Sequence, residues 1–228
     1  MDAAKADLMR ALGRLVRGLS TLFWSIPLTL AADVETARTD WLDSLGALSF
    51  APALVLSGLL WYGLRQMRDF QRQERVWQLA LHRAGIFAIV NTGLAPFLFW
   101  WHRFPLVPFY FVCVNFLAVS GFIFLIEVNQ VLRRLAAMLP DEMLRMETRT
   151  FATMNTWMMS AALGILAMYL VFTDFQSTPR LIGRHFFGLQ TIGEWLILFL
   201  TLMPVAVTLA LLWKLKEAIL TSFFEIER

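Results

Sequence analysis

The chain has one cysteine, three histidines and charged side chains at only 16% of its 228 positions. Each shortage excludes something. A single thiol, Cys113, closes no intramolecular disulfide, and its place in an apolar run is that of a packing residue. His82, His102 and His185 fall outside the long apolar runs, so no facing pair is available to hold a haem between helices. There is no metalloprotease HExxH, no Cys pair for redox work and no glycine loop to cradle phosphate. No Asp, Glu, Lys, Arg or His occurs near the middle of an apolar run, where proton- or sodium-coupled transporters keep a carboxylate. The formal net charge is only +3, so the basic pI of about 9.4 carries no argument for nucleic acid. No cofactor is expected.

What the chain has in quantity is apolar sequence: 58% of residues, with a mean hydropathy of +0.61. A soluble domain is nearer half apolar and about a quarter charged. A membrane span needs roughly 20 mostly apolar residues. Runs near 45–64, 84–101, 106–127, 151–172 and 191–213 meet or approach that length. A shorter run near 19–34 contains Pro27 and follows a basic amphipathic segment, 1–18. Basic, then apolar, then Leu30-Ala31-Ala32 is also the order of a signal peptide, and an interfacial helix is a third reading.

Charge favours spanning. With six spans and a cytoplasmic start, sixteen of the twenty Lys and Arg residues lie on the inner side. Only Arg38, Arg103, Arg180 and Arg184 remain outside. The expected fold class is therefore an all-α polytopic transmembrane bundle forming a single membrane domain, of six spans, or five if the first segment lies flat. Both termini are expected in the cytoplasm. High Arg over Lys points to a bacterial inner (cytoplasmic) membrane. Trp100, Trp101, Phe104, Phe109 and Tyr110 predict an aromatic belt at the outer turn. Pro140-Asp141-Glu142 predicts a helix start, hence a helical hairpin turning near Leu139-Pro140. Cytoplasmic helical connections are expected at 65–83 and 128–150, where a soluble partner or other membrane subunits would dock beside the lipid bilayer itself.

A weak internal repeat runs through the spans. Phe87-Ala88-Ile89-Val90-Asn91-Thr92 matches Phe151-Ala152-Thr153-Met154-Asn155-Thr156, 64 residues on. Leu54–Gly58 likewise matches Leu117–Gly121. The pattern is that of three tandem helical hairpins.

Polar side chains inside the bilayer are the natural functional candidates, because burying them costs free energy that something must offset. Asn91, Asn115 and Asn155 are the candidate intramembrane set, read either as a polar path or as interhelical hydrogen bonds. Glu194 lies one turn into the last run. His102, His185, Arg180 and Arg184 form a candidate cluster on the outer face, with no close-spaced ligand pair to make it a metal site. Ser120-Gly121 resembles the serine motif of rhomboid proteases over two residues. No histidine follows in the sixth run to act as base, and the resemblance ends there. Three functions follow: a non-catalytic subunit or scaffold of a membrane assembly, a small-solute transporter or channel, and a membrane enzyme using the His185/Glu194 or Asp141/Glu142/Arg145 region. Absent motifs favour the first.

Overall fold

The computed structural model describes residues 3–38, 46, 48–139, 141–175 and 187–226, with side chains at 7, 9–38, 46, 48–139, 141–168, 199 and 201–221. Seven helices and no strand occur among them: α1 (Ala3–Arg38), α2 (Ala51–Met67), α3 (Arg75–Leu94), α4 (Pro96–Arg103), α5 (Pro108–Met138), α6 (Glu142–Phe175) and α7 (Phe187–Ile226). Prolines mark several of the starts. Pro52, Pro96 and Pro108 sit in first turns, where their missing N–H costs nothing. The α3–α4 break is slight, since the Ala95 N–H still bonds the Asn91 carbonyl at 2.9 Å. At the start of α6 the Leu144 N–H donates to Asp141 Oδ1 at 3.1 Å, an N-cap. Pro140 lies outside the described residues.

Four segments are long and apolar enough to cross a membrane: Met9–Arg38, Arg75–Arg103, Pro108–Met138 and Glu142–Met168. At 17 residues, α2 is at the lower end of spanning length. Two helices run further than their apolar stretches. Segment 1–18 is not separate from 19–34; α1 is continuous through both and runs past Pro27 to Arg38. Within the expected helical connection 65–83, α2 continues to Met67 and α3 begins at Arg75, so only 68–74 lies between the helices. In both places a helix carries its hydrogen bonding beyond the apolar stretch, since charged residues are as compatible with helix as apolar ones.

The helices pack in chain order and the order closes on itself. α1 lies on α2, α2 on α3, α3 on α5, α5 on α6, α6 on α7, and α7 returns to α1. The short 68–74 and 104–107 connections make α2 and α3, and α4 and α5, antiparallel neighbours. The α1–α2 crossing depends on glycine: a Cβ on Gly18 would meet the Gly63 carbonyl oxygen at 2.7 Å and Met67 Cγ at 2.6 Å. Arg14 ties α1 to Asp69 in the following turn, and Lys214 on α7 pairs with Glu147 on α6. Phe23 against Trp213, 5.5 Å between centroids, closes the ring.

The two ends of the bundle differ. One carries the 68–74 and 139–141 turns and most of the described basic residues. The other carries Phe97, Trp100, Phe104, Phe109 and Tyr110, whose rings contact one another in a chain. The half nearer the basic end is filled: Leu15, Leu19, Leu64, Leu132, Leu135 and Leu215 are fully enclosed. Around the perimeter each long helix turns a large apolar side chain outward. Trp24, Val55, Ile89, Phe116, Trp157 and Phe199 are each more than half exposed. An apolar girdle of that kind is compatible with contact to a lipid bilayer and not with water alone.

Candidate functional site

Between the helices, in the half nearer the aromatic end, lies an open cavity of about 410 Å³. All seven helices contribute to its wall, α1 and α5 most. On α1 the residues Ile26, Thr29, Leu30, Asp33 and Ala37 recur at helical spacing, so one stripe faces inward. On α5 the stripe is Val114, Leu117, Gly121 and Phe124. Leu60, Leu98, Leu166, Thr201 and Val205 complete an apolar lining.

A few polar groups interrupt it. Asp33 Oδ1 and Thr29 Oγ1 are buried and have no hydrogen-bond partner among the described residues. Asp33 forms no ion pair among the described residues. A carboxylate in apolar surroundings costs several kcal/mol unless a cation or donors face it. Asn91 also lines the cavity; its Oδ1 accepts a hydrogen bond from the Ser120 hydroxyl on α5. Arg38 stands at the edge, exposed.

The three asparagines separate in space. Asn155 is fully buried in a cluster on the basic-end side of the cavity, where its Nδ2 lies 3.2 Å from Asn129 Oδ1, 3.1 Å from the Pro204 carbonyl and 2.9 Å from Thr208 Oγ1. Asn129 Nδ2 donates to the same Thr208 oxygen at 2.9 Å. Along α5, Ser120 and Asn129 are about 13 Å apart at 1.5 Å per residue, so the Asn91 and Asn155 sites are two layers. Asn115 belongs to neither; its Nδ2 donates to the Phe111 carbonyl of its own helix at 2.9 Å. Asn91 and Asn155 hold equivalent places in the sequence match, and each reaches a hydroxyl on the helix that follows in the ring. His102 is half-buried near the end of α4. Arg180, Arg184 and His185 lie outside the described residues, as does the Glu194 side chain, although its backbone is in α7.

Sequence reading passed over Asp33, Thr29, Asn129 and Thr208. Asp33 lies at the end of the apolar run near 19–34. Its signal was the spacing Ile26, Thr29, Leu30, Asp33, Ala37, which keeps one face if the helix does not stop. Asn129 sat in an expected cytoplasmic connection, and nothing in the chain pointed from it to Asn155.

Outside the cavity, Asp69 is the one described titratable group in a turn with a clear shift. The hydrogen bond from Arg72, Nε to Oδ1 at 3.1 Å, and the charge of Arg14 hold its carboxyl below the usual carboxylate range. No group of three or more His, Cys, Asp or Glu among the described residues is placed to hold a metal ion. No protein-family model, curated protein or solved structure matches this chain.

Proposed function

We propose that the protein is a six-span membrane protein that binds a small amphipathic solute in the central cavity, as the binding step of a transporter. The solute is mostly apolar and carries one cationic, hydrogen-bond-donating group. The observation that carries this reading is the pair of unpartnered oxygens, Asp33 Oδ1 and Thr29 Oγ1, in an otherwise apolar cavity. Ligand sites have this composition and size: some hundreds of Å³, apolar walls and a few polar groups that fix orientation. The filled core beside the cavity supports access from the aromatic end alone. Positive-inside bias supports a cytoplasmic basic end, in a bacterial inner membrane, and so an outward-facing cavity.

The test uses single cysteines in a Cys113→Ser background. Val34→Cys and Ala118→Cys are expected to react rapidly with a membrane-impermeant cationic thiosulfonate, and Asn155→Cys to stay unreactive. Tetrabutylammonium should slow labelling at Val34→Cys, and Asp33→Asn should abolish that protection. Silence at all three positions refutes the cavity; labelling without protection refutes the cationic solute.

A second reading is a non-catalytic subunit or scaffold. It is supported by small residues left outward on adjacent helices, Ser160 and Gly164 on α6 and Ala206 and Ala210 on α7. Such faces suit close contact with another membrane helix. Native mass of the mildly extracted protein tests it: stoichiometric companions support this reading, and a lone chain opposes it.

A further inference from the structure

The densest unpaired charge among the described residues lies at the tip of the α5–α6 hairpin. Arg133 and Arg134 near the end of α5, and Arg145 and Arg149 near the start of α6, line a groove of about 330 Å³. The turn builds it. α5 ends at Met138 and α6 begins at Glu142, and the two pack together, so the last turns of one helix lie beside the first turns of the next. Arg145 and Arg149, four apart, share a face of α6. Arg145 Nη2 donates to the Leu139 carbonyl at 3.1 Å, which holds that guanidinium over the turn.

The nearby acids do not neutralise the groove. Asp141 caps α6, Glu147 is taken by Lys214, and Glu142 forms no ion pair among the described residues. None of the four arginines is in an ion pair among those residues either. Four like charges around one groove repel, and an anion placed among them relieves that repulsion. Guanidinium forks match the oxygens of a phosphate group and hold it by charge-assisted hydrogen bonds.

We propose that this groove binds the phosphate-bearing headgroup of an anionic phospholipid. The depth of the groove is the reason to name a lipid. From Tyr110 in the aromatic cluster to Arg133 α5 rises about 35 Å at 1.5 Å per residue, close to the roughly 30 Å of a bilayer core. Tryptophan–cation pairs lie near the basic end, with Arg65 over Trp61 at 5.3 Å and Lys216 over Trp213 at 5.0 Å. Such pairs mark a membrane interface. From the hairpin tip toward the aromatic end, Met146, Met154 and Trp157 form an exposed apolar stripe along α6, where acyl chains would lie. Four arginines favour a headgroup with two negative charges over one with a single charge or none.

The test is native mass spectrometry of the delipidated full chain, offered cardiolipin, phosphatidylglycerol or phosphatidylcholine at equal concentration. Cardiolipin is expected to bind tightest and phosphatidylcholine weakest. The variant Arg145→Gln/Arg149→Gln should weaken cardiolipin binding by roughly tenfold or more. Arg133→Gln/Arg134→Gln should do the same without touching the Arg145 bond to the turn, so misfolding of the first variant leaves the second to decide. Arg10→Gln/Arg17→Gln removes equal charge elsewhere and should leave binding unchanged. Equal retention of the three lipids, or an equal loss in the control variant, overturns the proposal. Competition by millimolar inorganic phosphate also overturns it and reassigns the groove to a free anion.

Discussion

Replacing Asn155 or Asn115 by alanine removes the same atoms from two positions within long apolar helices. The consequences should differ sharply. Asn155 has two amide protons and three acceptors within 3.2 Å, on α5 and α7. An interhelical hydrogen bond within a membrane contributes roughly 0.6–2 kcal/mol. Truncation also strips Asn129 Oδ1 of its donor, and a buried oxygen left without one costs about 1–3 kcal/mol. The remaining bonds soften the loss, since Thr208 still donates to the Pro204 carbonyl at 2.8 Å and accepts from Asn129 at 2.9 Å. Asn155 Oδ1 is buried with no partner among the described residues, and its removal offsets part of the loss, so Asn155→Ala should destabilise the fold by about 1–3 kcal/mol. Asn115 is half-exposed and bonds only its own helix, so Asn115→Ala should fall within about 0.5 kcal/mol of wild type. Reversible unfolding in mixed micelles of increasing dodecyl sulfate fraction measures both. The double variant Asn155→Ala/Thr208→Ala should cost less than its two singles together, because they share bonds. Equal effects at 155 and 115 would refute the assignment of Asn155 as the joint of three helices.

Two further outcomes are expected. Gly18→Ala should cost about 1–3 kcal/mol in the same assay, because its Cβ meets the Gly63 carbonyl oxygen and Met67, whereas Gly13→Ala meets nothing within 4 Å and should be neutral or stabilising. The Asp69 carboxyl titrates below its unfolded value, so its contribution to stability is present above the ordinary carboxylate range and is lost as pH falls through the folded value. The small stability gap between wild type and Asp69→Asn should hold from neutral pH to about pH 5 and close below about pH 4; a gap that widens on acidification would contradict the Arg72 and Arg14 contacts.

The helices were legible from the sequence because apolar runs of spanning length have few alternatives in a bilayer. Their faces were not. A helix that is apolar nearly all round gives little periodic signal for inside against outside, and so Asn115 looked as promising as Asn91. The full length of α1 was not legible: the apolar run near 19–34 contains Pro27 and stops among acids, four residues short of Arg38. Neither stops a helix whose neighbours hold it: Leu22, Ile26 and Thr36 are buried on both sides of the proline. This hid the cavity, since Asp33 belongs to it only if the helix continues. The pairing of Asn129 with Asn155 and Thr208 joins residues far apart in the chain, and only tertiary packing brings them together.

The seam between α1 and α7 bears on how the chain is made. Every other neighbour in the ring is the next helix to leave the ribosome, so each can be matched almost as soon as it enters the membrane. α1 has a face whose mate, α7, is the helix farthest from it in the chain among those described. Until α7 arrives, Leu22, Ile26 and the stripe through Asp33 look into lipid or toward an insertion factor, and the cavity has no far wall. α7 supplies Thr201 and Val205 to the cavity wall, so a chain interrupted before α7 would retain most of its helix pairs and leave the cavity open on that side.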